Sequence, residues 1–190
     1  MTKARDNANN WAADITGVSA GTGITGGGTS GTVTVTADTS VVTTLTGTQT
    51  LTNKTVTAPI LIAPEERWTI SATAATGTIN FDTLTQGVLY YTTDASGNFT
   101  LNFRGDGSNT LNSTLVTGDT ITVSFLVTNG ATPYYANAFQ VDGSSVTPKW
   151  SGGTAPSAGN ASAIDAYIFT IIKTADATFT VLAAGPIKYS

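Results

Sequence analysis

The clearest pattern in the chain is strict alternation. In Asn98-Phe99-Thr100-Leu101-Asn102-Phe103, apolar and polar residues exchange at every step. Period two means a β-strand with one apolar face, because successive side chains point to opposite sides of a pleated backbone. Phe99, Leu101 and Phe103 are therefore placed inward, with Thr100 and Asn102 outward. Ile121, Val123, Phe125 and Val127 form a second inward row. Tyr167, Phe169 and Ile171 form a third, continued after a turn by Phe179 and Val181.

The same reading predicts eight strands: Trp68–Thr73, Gly77–Phe81, Val88–Thr92, Phe99–Phe103, Thr120–Thr128, Tyr134–Val141, Ala166–Lys173 and Thr178–Ala183. Turn signals fall between them at Asp94-Ala95-Ser96-Gly97, Asp106-Gly107, Asn129-Gly130, Asp142-Gly143 and Gly152-Gly153. Short strands with turns at this spacing predict a sandwich or barrel over residues 65–190, and the expected form is an antiparallel, jelly-roll-like β-sandwich. No amphipathic helix of about ten residues is expected anywhere.

The first third of the chain reads differently. Thr32-Val33-Thr34-Val35-Thr36 and Thr50-Leu51-Thr52 also alternate, but the surrounding sequence is Gly- and Thr-rich and almost free of aromatics. One apolar strand face there needs a cover that the segment itself cannot supply, since an isolated hairpin is marginal in water. Residues 1–30 are read as a particle-attachment arm with Trp11, Ile15, Val18 and Ile24 as apolar anchors. Residues 31–64 are read as an extended, Thr-rich strand and linker region. The expected class is all-β, an extended Gly/Thr-rich arm followed by the sandwich head.

Composition sharpens this. Charged residues make up 11% of the chain, less than half the usual share. Threonine, which favours strands and faces water without charge, makes up about a fifth. Such a surface suits burial in an assembly better than life as a free monomer. A net charge of −4 and the lack of a basic stripe argue against nucleic-acid binding. With no apolar run near ~18 residues, no membrane span is expected.

Histidine and cysteine are both absent. That removes the Ser-His-Asp triad, thiolate metal sites and the usual general base. No catalytic, cofactor-binding or metal-binding residue is assigned. Gly21-Thr22-Gly23-Ile24-Thr25-Gly26 matches G-x-G-x-x-G, but a Thr/Val strand follows where a dinucleotide site needs a helix. Arg104-Gly105-Asp106-Gly107 reads as a hairpin tip, since its glycines tolerate positive φ and Asp favours turns. The adjacent pairs Tyr90-Tyr91 and Tyr134-Tyr135 must each put one ring on either face of a strand. They are candidate subunit or glycan contacts, together with Trp150. Trp68 and Trp150 are both expected to pack over core edges.

Two regions carry a resemblance. The Gly-rich run Gly17–Gly31 followed by Thr46-Gly47-Thr48-Gln49-Thr50-Leu51-Thr52-Asn53-Lys54-Thr55-Val56-Thr57-Ala58-Pro59 resembles the amino-terminal half of bacteriophage fibre and appendage proteins. The stretches Tyr90–Gly105, Ala138–Trp150 and Phe169–Leu182 resemble virion structural proteins of cyanobacterial and marine tailed phages. The resemblance implies a non-enzymatic virion component, a homotrimer that also contacts capsid, neck or tail proteins, as a short fibre or a decoration protein. The alternative is an adhesin module that binds host surface glycans.

Overall fold

The computed structural model describes residues 17–29, 32–40, 42, 55–66 and 68–190. The chain divides into two compact units, residues 1–60 and 61–190.

In the first unit the described residues form one antiparallel sheet in the order β1-β2-β3, from Val18–Ser19 (β1), Ile24–Gly28 (β2) and Val35–Ala37 (β3). The glycine run Gly26-Gly27-Gly28 lies in the central strand. Its backbone explains why: Gly26 and Gly27 have φ of 101° and 132°, and a Cβ on Gly26 would collide with the Thr34 carbonyl oxygen. Glycine lets the neighbouring strands close onto β2 where any side chain would hold them apart. Almost every described residue of this unit is exposed or half-exposed. Thr50–Thr52 lies outside the described residues.

The second unit is all-β. Its strands are Thr69–Ala74 (β4), Gly77–Asp82 (β5), Val88–Thr93 (β6), Phe99–Arg104 (β7), Thr120–Asn129 (β8), Ala136–Val141 (β9), Ser144–Ser145 (β10), Lys149–Trp150 (β11), Ala163–Ala175 (β12) and Thr178–Tyr189 (β13). They build a four-stranded sheet, β10-β9-β7-β5, and a six-stranded sheet, β11-β13-β12-β8-β6-β4. One four-residue helix, Leu111–Thr114 (α1), sits between β7 and β8.

The expected antiparallel pairing is corrected: the sheets are mixed. β5, β7 and β9 pair in parallel, as do β4, β6 and β8, and β11 with β13. The reason lies in the path of the chain. From β4 to β9 each strand is followed by one in the opposite sheet. Every second strand therefore returns to its own sheet running in the same direction, and the strand between supplies the crossover that parallel pairing requires. Of the five turn signals, Asp142-Gly143 closes a two-residue hairpin, with positive φ at both positions (52° and 79°). The other four guide crossovers and bends.

The core fills the space between the sheets. Phe81, Leu101, Phe103 and Phe139 from one side meet Phe125, Tyr167, Phe169 and Ile171 from the other, all buried. Rings cross the gap at centroid distances of 5.4 Å for Phe99–Phe125, 5.0 Å for Phe103–Phe169 and 5.6 Å for Phe139–Phe169. Each such side chain contributes about 1.5–3 kcal/mol by leaving water.

Candidate interaction surface

Strand alternation gives each sheet an outer face as well as an inner one, and the two outer faces differ in chemistry. On the four-stranded sheet, in-register parallel pairing stacks like on like. Asn80, Asn102 and Gln140 share one level, and Asp82 is level with Arg104. Asn102 Nδ2 donates to Asn80 Oδ1 at 2.8 Å, and the Gly143 N–H donates to Asn102 Oδ1 at 2.9 Å. Asn102 points outward as expected, yet this hairpin contact covers it until it is 8% exposed.

Arg104 Nε donates to Asp82 Oδ1 at 2.6 Å, and this bond holds the guanidinium pKa above its ordinary value. Asp106 accepts from the N–H groups of Ser108 and Asn109 and from Asn109 Nδ2, which lowers its carboxyl below the ordinary value, the Ser108 bond contributing most. The sequence Arg104-Gly105-Asp106-Gly107 is thus not the expected hairpin tip but a loop folded on its own hydrogen bonds, because β7 and β8 join different sheets. An open cleft of about 320 Å³ lies between Asn102, Arg104, Asp106, Asn109 and Asp142.

Helix α1 is clamped at both ends beside this cleft. The Asp142 carboxylate accepts from the N–H groups of Leu111 (2.6 Å) and Asn112 (2.9 Å). Buried Lys173 donates through Nζ to the carbonyls of Asn112 (2.6 Å) and Leu115 (2.8 Å). An anion at the start and a cation at the end satisfy the free groups that a four-residue helix cannot satisfy itself.

The outer face of the six-stranded sheet carries an apolar patch beside the hydroxyls of Thr120, Thr122, Ser124 and Thr128 on β8 and Thr170 on β12. A cleft of about 550 Å³ is lined by Glu66, Trp68, Val88, Tyr90, Ser124, Leu126, Ile164, Ala166, Ile168, Ile187 and Tyr189. A second depression of about 410 Å³ shares Ile168 with it and adds Lys149, Trp150, Thr170 and Leu182. Glu66 and Lys149 are the charged residues of this lining. Trp68, Ile168, Leu182, Ile187 and Tyr189 are 40–56% exposed.

The tyrosine pairs separate in different ways. Tyr91 turns inward against Phe125 (5.7 Å), and burial raises its pKa. Tyr90 turns outward, with its hydroxyl 3.1 Å from Thr128 Oγ1. Tyr134 and Tyr135 lie before β9, which starts two residues later than the expected strand. The Asn129 side chain takes both backbone groups of Tyr134, leaving it no ladder partner. Trp150 packs edge-on against Phe139 (5.5 Å) and Phe169 (6.3 Å), as expected of a core-edge ring. Trp68 does not; it stands half-exposed on the apolar outer face, because it precedes β4 at the sheet edge. Val18 lies half-buried in β1 and Ile24 exposed in β2, whereas Trp11 and Ile15 lie outside the described residues.

Strand-by-strand reasoning missed Leu126, Ile164, Ile168, Leu182 and Ile187. The signal was present in Ala163-Ile164-Asp165-Ala166-Tyr167-Ile168-Phe169, where both parities of β12 are mostly apolar. A strand that is apolar on both faces is one covered on both faces.

A second polar feature lies at the other end of β12. Asp165 is fully buried and accepts from Asn129 Nδ2 (3.0 Å), Asn160 N (2.8 Å) and Asn160 Nδ2 (2.7 Å), tying two loops to the sheet. The nearby Tyr167 hydroxyl is buried beside the Ala136 backbone without closing a well-formed hydrogen bond. Its pKa is pushed up, first by burial and then by the Asp165 charge.

Comparison of the chain with protein families, with curated proteins and with solved structures finds no match.

Proposed function

We propose that the chain is a non-enzymatic structural component of a bacteriophage particle, anchored by residues 1–30 and presenting the sandwich as a short fibre or a capsid or neck decoration. The observation that supports this reading best is the broad apolar outer face of the six-stranded sheet. A face of this kind is a protein-contact surface, and a chain with 11% charged residues has little else to keep it dispersed. The amino-terminal residues Trp11, Ile15, Val18 and Ile24 are the proposed anchors. Quantitative mass spectrometry of purified particles tests the assignment. Hundreds of copies against the major capsid protein indicate decoration, a few to a few dozen indicate a fibre, neck or tail part, and absence from particles overturns it. Deleting residues 1–30 should give a folded chain that no longer joins particles.

The alternative is a glycan-binding adhesin. Trp68, Tyr90 and Tyr189 around one open cleft favour it, since aromatic rings stack on sugar faces. Titration with host polysaccharide should then quench or shift tryptophan fluorescence, and an unchanged spectrum removes this reading.

A further inference from the structure

We infer that the apolar outer face of the six-stranded sheet is covered by the same face of a second copy of this chain, about a two-fold axis parallel to the strands. The inference deepens the assembly reading by naming a partner, and its test needs no particle.

Three observations carry it. The first is size. The six strands span about 24 Å at ~4.8 Å spacing, and the outer face from Leu182 to Tyr189 on β13 runs about 20 Å along them. Pairing two such faces buries on the order of 1,000 Å² in total, the lower bound for a stable interface.

The second is charge placement. Glu66 lies at the β4 edge of the sheet and Lys149 on β11, the opposite edge. Neither has an ion-pair partner among the described residues. Register fixes their levels. Lys149 is level with Leu182, Thr170 and Thr122. Glu66 lies against Gly87, one residue before Val88, which is level with Ser124. The two charges thus stand within about one residue rise, ~3.4 Å, of the same level.

The third is symmetry. A two-fold axis parallel to the strands exchanges the edges of the sheet and keeps every level. It sets Glu66 of each copy over Lys149 of the other, so the dimer holds two such pairs. The same operation lays Ile164, Ala166 and Ile168 of β12 over Thr128, Leu126 and Ser124 of β8. A three-fold arrangement needs head-to-tail contacts between different patches, whereas one self-complementary face closes as a pair. Aligned packing of two twisted sheets accommodates the geometry.

The test is sedimentation equilibrium of the full chain at low salt over a wide micromolar range. The expected mass is twice the 19.4 kDa of one chain. Ile168→Lys and Ile187→Lys, both at exposed positions, should each give monomers with an unchanged circular dichroism spectrum. Glu66→Lys and Lys149→Glu should each weaken the dimer about tenfold, since each breaks two pairs. The double exchange should restore it. A monomeric wild type, a trimer, a dimer that survives both lysine substitutions, or failure of the double exchange to restore pairing overturns the inference.

Discussion

The two outer faces of the sandwich are made by the same rule and end in opposite states. On the four-stranded sheet, outward positions carry Thr, Asn, Gln, Asp and Arg, and Asn80 bonds to Asn102 and Asp82 to Arg104. On the six-stranded sheet, outward positions mix hydroxyls, such as Thr122, Ser124 and Thr170, with an apolar patch that includes Trp68, Ile168, Leu182 and Ile187, each at least 40% exposed. The first face is tied together by its own polar bonds. The second is the one proposed to meet a partner. Burial of the inner faces is what folds the chain, so a change there and a change one residue away on the apolar outer face should have unrelated consequences.

Adjacent residues of β12 test that separation most severely. Phe169 is fully buried against Phe103 and Phe139, while Ile168 next to it is 41% exposed. Phe169→Ala should cost about 3–5 kcal/mol by leaving a cavity. Ile168→Lys should change the stability of the isolated chain by no more than about 0.5 kcal/mol. Urea unfolding of both, compared at equal m-value, checks this. Comparable losses at the two positions break the distinction between the faces.

The inner faces were legible in the sequence, and the outer apolar face was not. Phe99, Leu101, Phe103, Val123, Phe125, Tyr167, Phe169 and Ile171 are all inward and buried because alternation sets their side without reference to any partner strand. Pairing direction is another matter. It depends on which sheet the next strand joins, and a crossover of two residues at Ala75-Thr76 looks the same in sequence as a hairpin loop. Leu126 and Ile168 were passed over because the alternation argument assigns outward positions to solvent. Long-range polar contacts are equally silent: nothing near Lys173 in sequence announces that it caps a helix about sixty residues earlier.

That cap gives the next largest effect. Lys173→Met keeps the apolar stem but strands the carbonyls of Asn112 and Leu115. A loss of about 1–3 kcal/mol is expected from unsatisfied buried acceptors. Amide hydrogen exchange should rise first at α1, whose last turn loses the cation that ties its carbonyls to β12. Uniform exchange across the domain would instead make Lys173 a core residue rather than a cap.

Tyr167 offers a smaller effect with a definite sign. Its folded pKa lies above the unfolded value of ~10. Below pH ~10 both states keep the proton and stability is unaffected. As pH rises through ~10 the unfolded chain ionises while the folded one does not, so the unfolded state binds fewer protons and stability falls. Tyr167→Phe removes both this loss and a buried hydroxyl lacking a well-formed bond. It should leave stability at neutral pH equal or higher by about 1 kcal/mol, and flatten the alkaline limb. A variant that keeps the alkaline limb places its origin in another group.

The smallest effect belongs to the polar face and sharpens the comparison from its other side. Arg104 and Asp82 are each about 30% exposed, and their pair is close to solvent. Such pairs contribute about 0–1 kcal/mol, and salt screens them. Arg104→Gln should therefore lower the urea midpoint slightly in dilute buffer, with the difference vanishing in high salt. Self-association should be untouched, because Arg104 lies on the face turned away from the proposed contact. Glu66→Lys has the opposite signature, little change in unfolding and a clear change in mass. A shift in sedimentation caused by Arg104→Gln would move the contact surface to the four-stranded sheet. It would leave Leu126, Ile168 and Ile187 without the proposed partner.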